Sequence, residues 1–183
     1  MTSVEMINLD DAPRVWIGCL ACYNAGNLKG AWVDASEAAA YVPCEGDQHE
    51  SHEEFLVMDH ENFQGFLSGE CSPAEAQEIS ERMEELERER EYNLAAVGAW
   101  LSNYHLKLGD FDRTSFEDSY SGTYDTFIDF AQELADEMGL GEDDWSFRWP
   151  TNCIDWEAAS RELGYDYWTA PDPTGGVFVF RDM

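Results

Sequence analysis

The chain has 183 residues, with 39 Asp and Glu against 10 Lys and Arg, a formal net charge of −29 and a sequence pI near 4.1. So large a charge of one sign excludes nucleic acid as a ligand, disfavours an anionic membrane surface and points to a basic partner. The same composition is 44% hydrophobic and 14% aromatic. Acidic disordered chains lack that apolar content, so this chain is expected to fold.

The N-terminus carries Glu5, Asp10 and Asp11 where a secretory leader would carry basic residues. The longest apolar run, Val15 to Tyr23, is far shorter than the ~20 residues of a membrane-spanning helix. Cys19, Cys22, Cys44, Cys71 and Cys153 are odd in number and scattered, which suits reduced thiols and a cytoplasmic location.

Residues Val15 to Cys22 are apolar on both alternations, the pattern of a strand covered on two faces. Asn24 to Asn27 supplies turn chemistry, and Ala31-Trp32-Val33 reads as a partner strand. A short helix is expected from Ser36, a third strand at Phe55 to Met58, and a loop from Asn62 to Gly69. The period then becomes helical. Ser72-Pro73-Ala74-Glu75 combines an N-cap, a first-turn proline and a capping-box acid. Ile79, Met83 and Leu86 follow as a narrow apolar stripe. A second helix is expected over Tyr92 to Tyr104, and a third with Phe127, Phe130, Leu134 and Met138 on its buried side, stopped at Gly139-Leu140-Gly141. A helix over Asp155 to Leu163 and a hairpin of Tyr167-Trp168-Thr169 with Val177 to Phe180 close the chain. The fold class expected is α+β, in three small modules: residues 1–70 with a small antiparallel sheet, a helical 71–110, and a mixed 111–183.

Catalytic and cofactor chemistry is poorly represented. Four histidines and two lysines leave few general bases, and neither a phosphate-binding glycine loop nor a dinucleotide fingerprint is present. Cys19-Leu20-Ala21-Cys22 has the spacing of half a zinc site, whose other half would be His49 and His52, or Cys44 with one of them. The preferred reading places Cys19 and Cys22 on opposite faces of a strand as small hydrophobes. Asp110 to Thr114 begins like a calcium loop, but Ser115 and Ser121 stand where Gly and Glu are needed. The expectation is therefore a non-enzyme with no catalytic residue, metal or cofactor.

The acids are ordered. Asp125, Asp129, Glu133 and Glu137 recur every four residues, and Glu78, Glu81, Glu85 and Glu89 form a similar row at spacings of three and four, beside Glu84, Glu87 and Glu91. On a helix this spacing forms rows with a rise of about 6 Å between charges, destabilising by a few tenths of a kcal/mol per like pair. Solvation is equally well served by mixed charges, and halophilic adaptation would predict unfolding at low salt. Duplex DNA carries one charge per about 1.7 Å of axis, so 29 charges correspond to about 49 Å of duplex.

Four blocks of the chain resemble the ArdA-type antirestriction proteins of plasmids, transposons and phages. They are Pro13 to Gly26 with Leu28, Gly30 and Trp32-Val33-Asp34; Phe55 to Phe63; Phe116 to Asp125 with Asp129-Phe130-Ala131; and Ile154 to Glu157 with Gly175 to Arg181. The family pattern usually has Ala where this chain has Cys22. The resemblance implies an elongated three-domain homodimer that mimics bent B-form DNA and competitively blocks the methyltransferase core of type I restriction–modification enzymes.

It also implies that Leu134 to Leu163 corresponds to the family's antirestriction motif, a dimerisation element containing Leu134, Met138, Leu140, Trp145, Trp149, Ile154 and Trp156. The phosphate-mimicking carboxylates expected are Glu78, Glu81, Glu85, Glu89, Asp118, Asp125, Asp129, Glu133, Asp136, Glu137, Glu142, Asp143 and Asp144. The alternative is an acidic module for another basic DNA-binding or histone-like protein, which accounts for the charge but not for the blocks.

Overall fold

Arg14–Cys19 forms β1, the middle strand of an antiparallel sheet between Gly30–Asp34 (β2) and Phe55–Glu61 (β3). The computed structural model describes residues 12–44, 54–89, 92–140 and 153–182, and the chain divides into two compact units. The central position of β1 explains its apolar character on both alternations: Val15, Ile17, Gly18 and Cys19 are all buried. Gly18 pairs with Gly30, and a Cβ on Gly30 would lie 2.3 Å from the Ile17 carbonyl oxygen and 2.6 Å from the Trp16 ring. Close strand approach under Trp16 therefore requires glycine. A bulge between Trp16 and Ile17 shifts the register against β3.

The strand ends earlier than expected. Leu20–Asn24 is a short helix, α1, with Cys19 at its N-cap position. Cys19 and Cys22 thus lie one helical turn apart and share a buried cluster with Cys44, rather than pointing to opposite faces of a strand. Backbone bonds from Cys19 N to Lys29 O and Leu20 N to Glu54 O, both 3.1 Å, anchor the strand-to-helix change.

A 3₁₀ segment, Ala35–Ala40, buries Ala35 and Ala38. Against it and β3 packs α2, Pro73–Glu89. The Glu75 amide donates to Ser72 Oγ at 3.2 Å, confirming the expected cap. Ala76, Ser80, Met83 and Leu86 form the buried side of α2; burying Met83 and Leu86 contributes about 1.5–3 kcal/mol each. Ala39 N donates to Gln77 Oε1 at 3.0 Å, tying the helix to the 3₁₀ segment.

The second unit is built on Tyr120–Tyr124 (β4), Tyr167–Pro171 (β5) and Val177–Arg181 (β6), in the order β4-β6-β5. The expected C-terminal hairpin is present, and its central strand β6 buries Phe178, Val179 and Phe180 completely. Asp172 Oδ1 accepts from Thr174 N and Oγ1, each at 2.8 Å, and turns the hairpin. Gly176, at φ +86°, passes so close to β4 that a Cβ would meet the Tyr124 carbonyl oxygen at 2.3 Å.

Leu94–Asn103 (α3, in this unit from Ala95 onward) and Arg113–Ser119 (α4) complete an aromatic core. Trp100, Phe111 and Phe116 meet edge-on, Phe116 stacks on Tyr120, and Trp168 stacks on Phe180 at 4.2 Å. Such pairs add about 0.5–1.5 kcal/mol each beyond their burial. Phe127–Ala135 (α5) and Trp156–Leu163 (α6) pack together, capped by Thr126 and Asp155. Past Ala135 the chain widens into a π turn, Asp136–Leu140, with Gly139 at φ +84°. Met138, expected on the buried side, is consequently 76% exposed.

Candidate functional site: exposed carboxylates on both units

On α2 the buried stripe dictates what faces solvent. With Ala76, Ser80, Met83 and Leu86 inward, Glu78, Glu81, Glu84, Glu85 and Glu87 are exposed. Part of this charge is neutralised locally. Arg82 Nη1 lies 2.6 Å from Glu85 Oε2 and Arg88 Nη2 lies 3.8 Å from Glu84 Oε2. These exposed pairs contribute about 0–1 kcal/mol, but they offset two of the five exposed negative charges. Gln77 Nε2 donates to Glu81 Oε1 at 2.8 Å. Glu78 and Glu87 make no ion pair among the described residues. The side chain of Glu89 lies outside the described residues.

The second unit carries its acids differently. Asp118 is exposed on α4, Asp125 precedes the Thr126 cap, and Asp129 and Glu133 are exposed on α5. Asp136 and Glu137 are exposed in the π turn. Asp125 therefore stands outside the helix whose acidic row it was expected to share, because the chain is still extended at Thr126. None of these six acids has an ion-pair partner among the described residues.

Asp129 has a structural task as well. Its amide donates to Thr126 Oγ1 at 3.2 Å, and its Oδ2 accepts from the same hydroxyl at 2.6 Å, completing a reciprocal cap. Glu133 Oε1 accepts from Tyr124 OH at 3.5 Å. Burial, and then the negative charge of Glu133 and of Glu137, push the Tyr124 phenol above its ordinary value. The phenol is thus a neutral donor set inside an anionic field.

Other acids are consumed by the fold. Asp112 Oδ2 accepts from Ser115 N at 2.8 Å and caps α4, and those Ser115 hydrogen bonds hold its carboxyl below the ordinary range. Asp155 accepts from Ala158 N at 3.0 Å and caps α6. The residue spacing alone did not distinguish these caps from exposed charges.

Of the expected dimerisation residues, Leu134, Ile154 and Trp156 are half-buried and Met138 is exposed. Trp145 and Trp149, with Glu142, Asp143 and Asp144, lie outside the described residues, as does the Leu140 side chain.

What remains is a set of carboxylate oxygens held on folded helices and turns. Such groups accept charge-assisted hydrogen bonds from Lys and Arg. No helix among the described residues is long and apolar enough to cross a membrane. A comparison with curated proteins finds no match. The family model "Antirestriction protein (ArdA)" matches residues 15–174, spanning both units. On that match, the chain belongs to the ArdA family of antirestriction proteins.

Proposed function

We propose that this protein is a DNA mimic that occupies the DNA-binding groove in the methyltransferase core of type I restriction–modification enzymes. Its carboxylates take the place of duplex phosphates against Lys and Arg of the target, and no bond is made or broken. The observation that carries the reading is the run of exposed acids on the second unit, Asp118, Asp125, Glu133, Asp136 and Glu137, without an ion-pair partner among the described residues. Solvation alone would be equally served by mixed charges, whereas a groove built for phosphates rewards one sign.

We further propose that the protein acts as an elongated, cytoplasmic homodimer of three-module chains, joined through the Leu134 to Leu163 segment. The family match over residues 15–174, which includes that segment, supports it. Two such chains would carry the charge of about 99 Å of duplex.

The test is protection in cells that hold a type I system. Expressing the protein should raise the plating efficiency of unmodified phage toward that of modified phage. Plating that stays restricted, with the protein soluble and abundant, would refute the reading for that system. Light scattering should give twice the 20.8 kDa chain mass; a monomer at micromolar concentration would remove the dimer.

A further inference from the structure

The acidic surface makes no use of the cysteines, yet three of them converge. Cys19 ends β1, Cys22 lies on α1, and Cys44 follows the 3₁₀ segment. Their sulfur atoms all lie within 4.8 Å of one another. Cys22 Sγ and Cys44 Sγ are 3.5 Å apart. The three residues are 0%, 6% and 7% exposed, and Ala21 and Phe55 pack around them. All three belong to the first unit.

We propose that Cys19, Cys22 and Cys44 form a three-thiolate site for a soft d¹⁰ cation, zinc in the first instance. Zinc–thiolate bonds of about 2.3 Å in tetrahedral geometry require sulfur atoms about 3.8 Å apart. The Cys22–Cys44 separation of 3.5 Å is close to that value and the third sulfur lies within 4.8 Å of both, so small side-chain adjustments suffice to seat a cation. Three protein thiolates leave one coordination position for water or a further donor. Oxygen-seeking cations are disfavoured by the all-sulfur donor set and apolar surroundings.

The competing explanations fit less well. Cysteine is an adequate small hydrophobe, but packing alone gives no reason for three sulfurs to point at one spot. A disulfide needs sulfurs about 2.05 Å apart and would leave the third thiol unused.

Binding involves no redox change. Three S–H bonds break, three metal–sulfur bonds form, and three protons leave to solvent. The site would brace the junction of β1, α1 and the segment after Ala40, so its failure leaves the antirestriction reading untouched.

The test uses the full-length reduced protein with zinc chloride or cobalt chloride alone. Zinc should be retained at one per chain through desalting, and Co²⁺ should give intense thiolate-to-metal charge-transfer bands at the same stoichiometry. Cys44→Ala and Cys22→Ser should each abolish the cobalt bands, while Cys71→Ala and Cys153→Ala should keep them. Circular dichroism identifies any variant that fails to fold, and either cluster variant suffices. No uptake of either metal by the reduced wild-type protein would overturn the proposal. So would undiminished uptake in a folded cluster variant, or a Cys22–Cys44 disulfide as the only state recovered in the presence of zinc.

Discussion

The acidic helix of the first unit and the acidic surface of the second carry similar numbers of carboxylates but not the same available charge. On α2, Arg82 and Arg88 reach Glu85 and Glu84 along the helix, at the i,i+3 and i,i+4 spacings that bring side chains together. On α4, α5, the π turn and the turn that precedes α5, the six exposed acids have no such partner among the described residues. A row of acids in sequence is therefore an upper limit on the field a partner meets. How many remain unpaired depends on where the few cations fall.

The largest expected effect comes from neutralising the second unit. Changing Asp118, Asp125 and Asp136 to Asn with Glu133 and Glu137 to Gln removes five exposed charges. At about 0.2–1 kcal/mol each, the half-inhibitory concentration against a type I enzyme should rise about 5- to 5,000-fold. Asp129 is left intact because its carboxylate accepts from the Thr126 hydroxyl that caps α5. The matching block on α2, Glu78, Glu81, Glu84, Glu85 and Glu87, should cost less, since two of those charges are already paired. An equal or larger loss on α2 would break the comparison.

Converting Arg82 and Arg88 to Gln sharpens it from the other side. If α2 touches the partner, freeing Glu84 and Glu85 should improve inhibition by about two- to thirtyfold, read from the same titration. Inhibition lowered by this pair would show that the arginines contribute contacts of their own. A single change, Asp118→Asn, should move inhibition by no more than about fivefold, because binding is spread over many acids. A hundredfold loss from that one substitution would instead indicate a dominant site.

The smallest effect concerns stability. The Tyr124 phenol is held above its ordinary value near 10 by burial and by Glu133 and Glu137. The folded state thus keeps its proton where the unfolded chain has released it. Stability is fully present below pH 10 and falls as pH rises beyond it. Tyr124→Phe should flatten that alkaline decline in melting temperature, while costing about 0.5–1.5 kcal/mol near neutrality through the lost hydrogen bond. An unchanged alkaline slope would remove Tyr124 from the account.

Much of the fold was legible. The double apolar alternation of Val15 to Cys22 identified a strand covered on two faces, although the strand ends at Cys19, and Ser72 with Glu75 located the start of α2. The solvent faces of the helices followed as the complements of their buried stripes. Errors arose where one pattern serves two structures. Leu20, Ala21 and Cys22 continue an apolar run, and a short run does not separate strand from helix. Strand β4 was missed because Ser121 and Gly122 interrupt its alternation, and α4 because Phe116 is its single large buried side chain. Met138 kept helical spacing one turn past the point where the backbone departs from the α-helix. Cys44, 22 residues beyond Cys22, joins the thiol cluster through tertiary packing, for which no local period exists.

The central claim is that carboxylates take the place of phosphates in a groove that DNA would fill. Competition between this protein and a labelled duplex for a purified type I methyltransferase core tests it most directly. Displacement of the duplex should be complete and competitive, and the inhibition constant should weaken steeply as salt is raised. A ternary complex retaining both duplex and protein, or displacement indifferent to salt, would contradict the account.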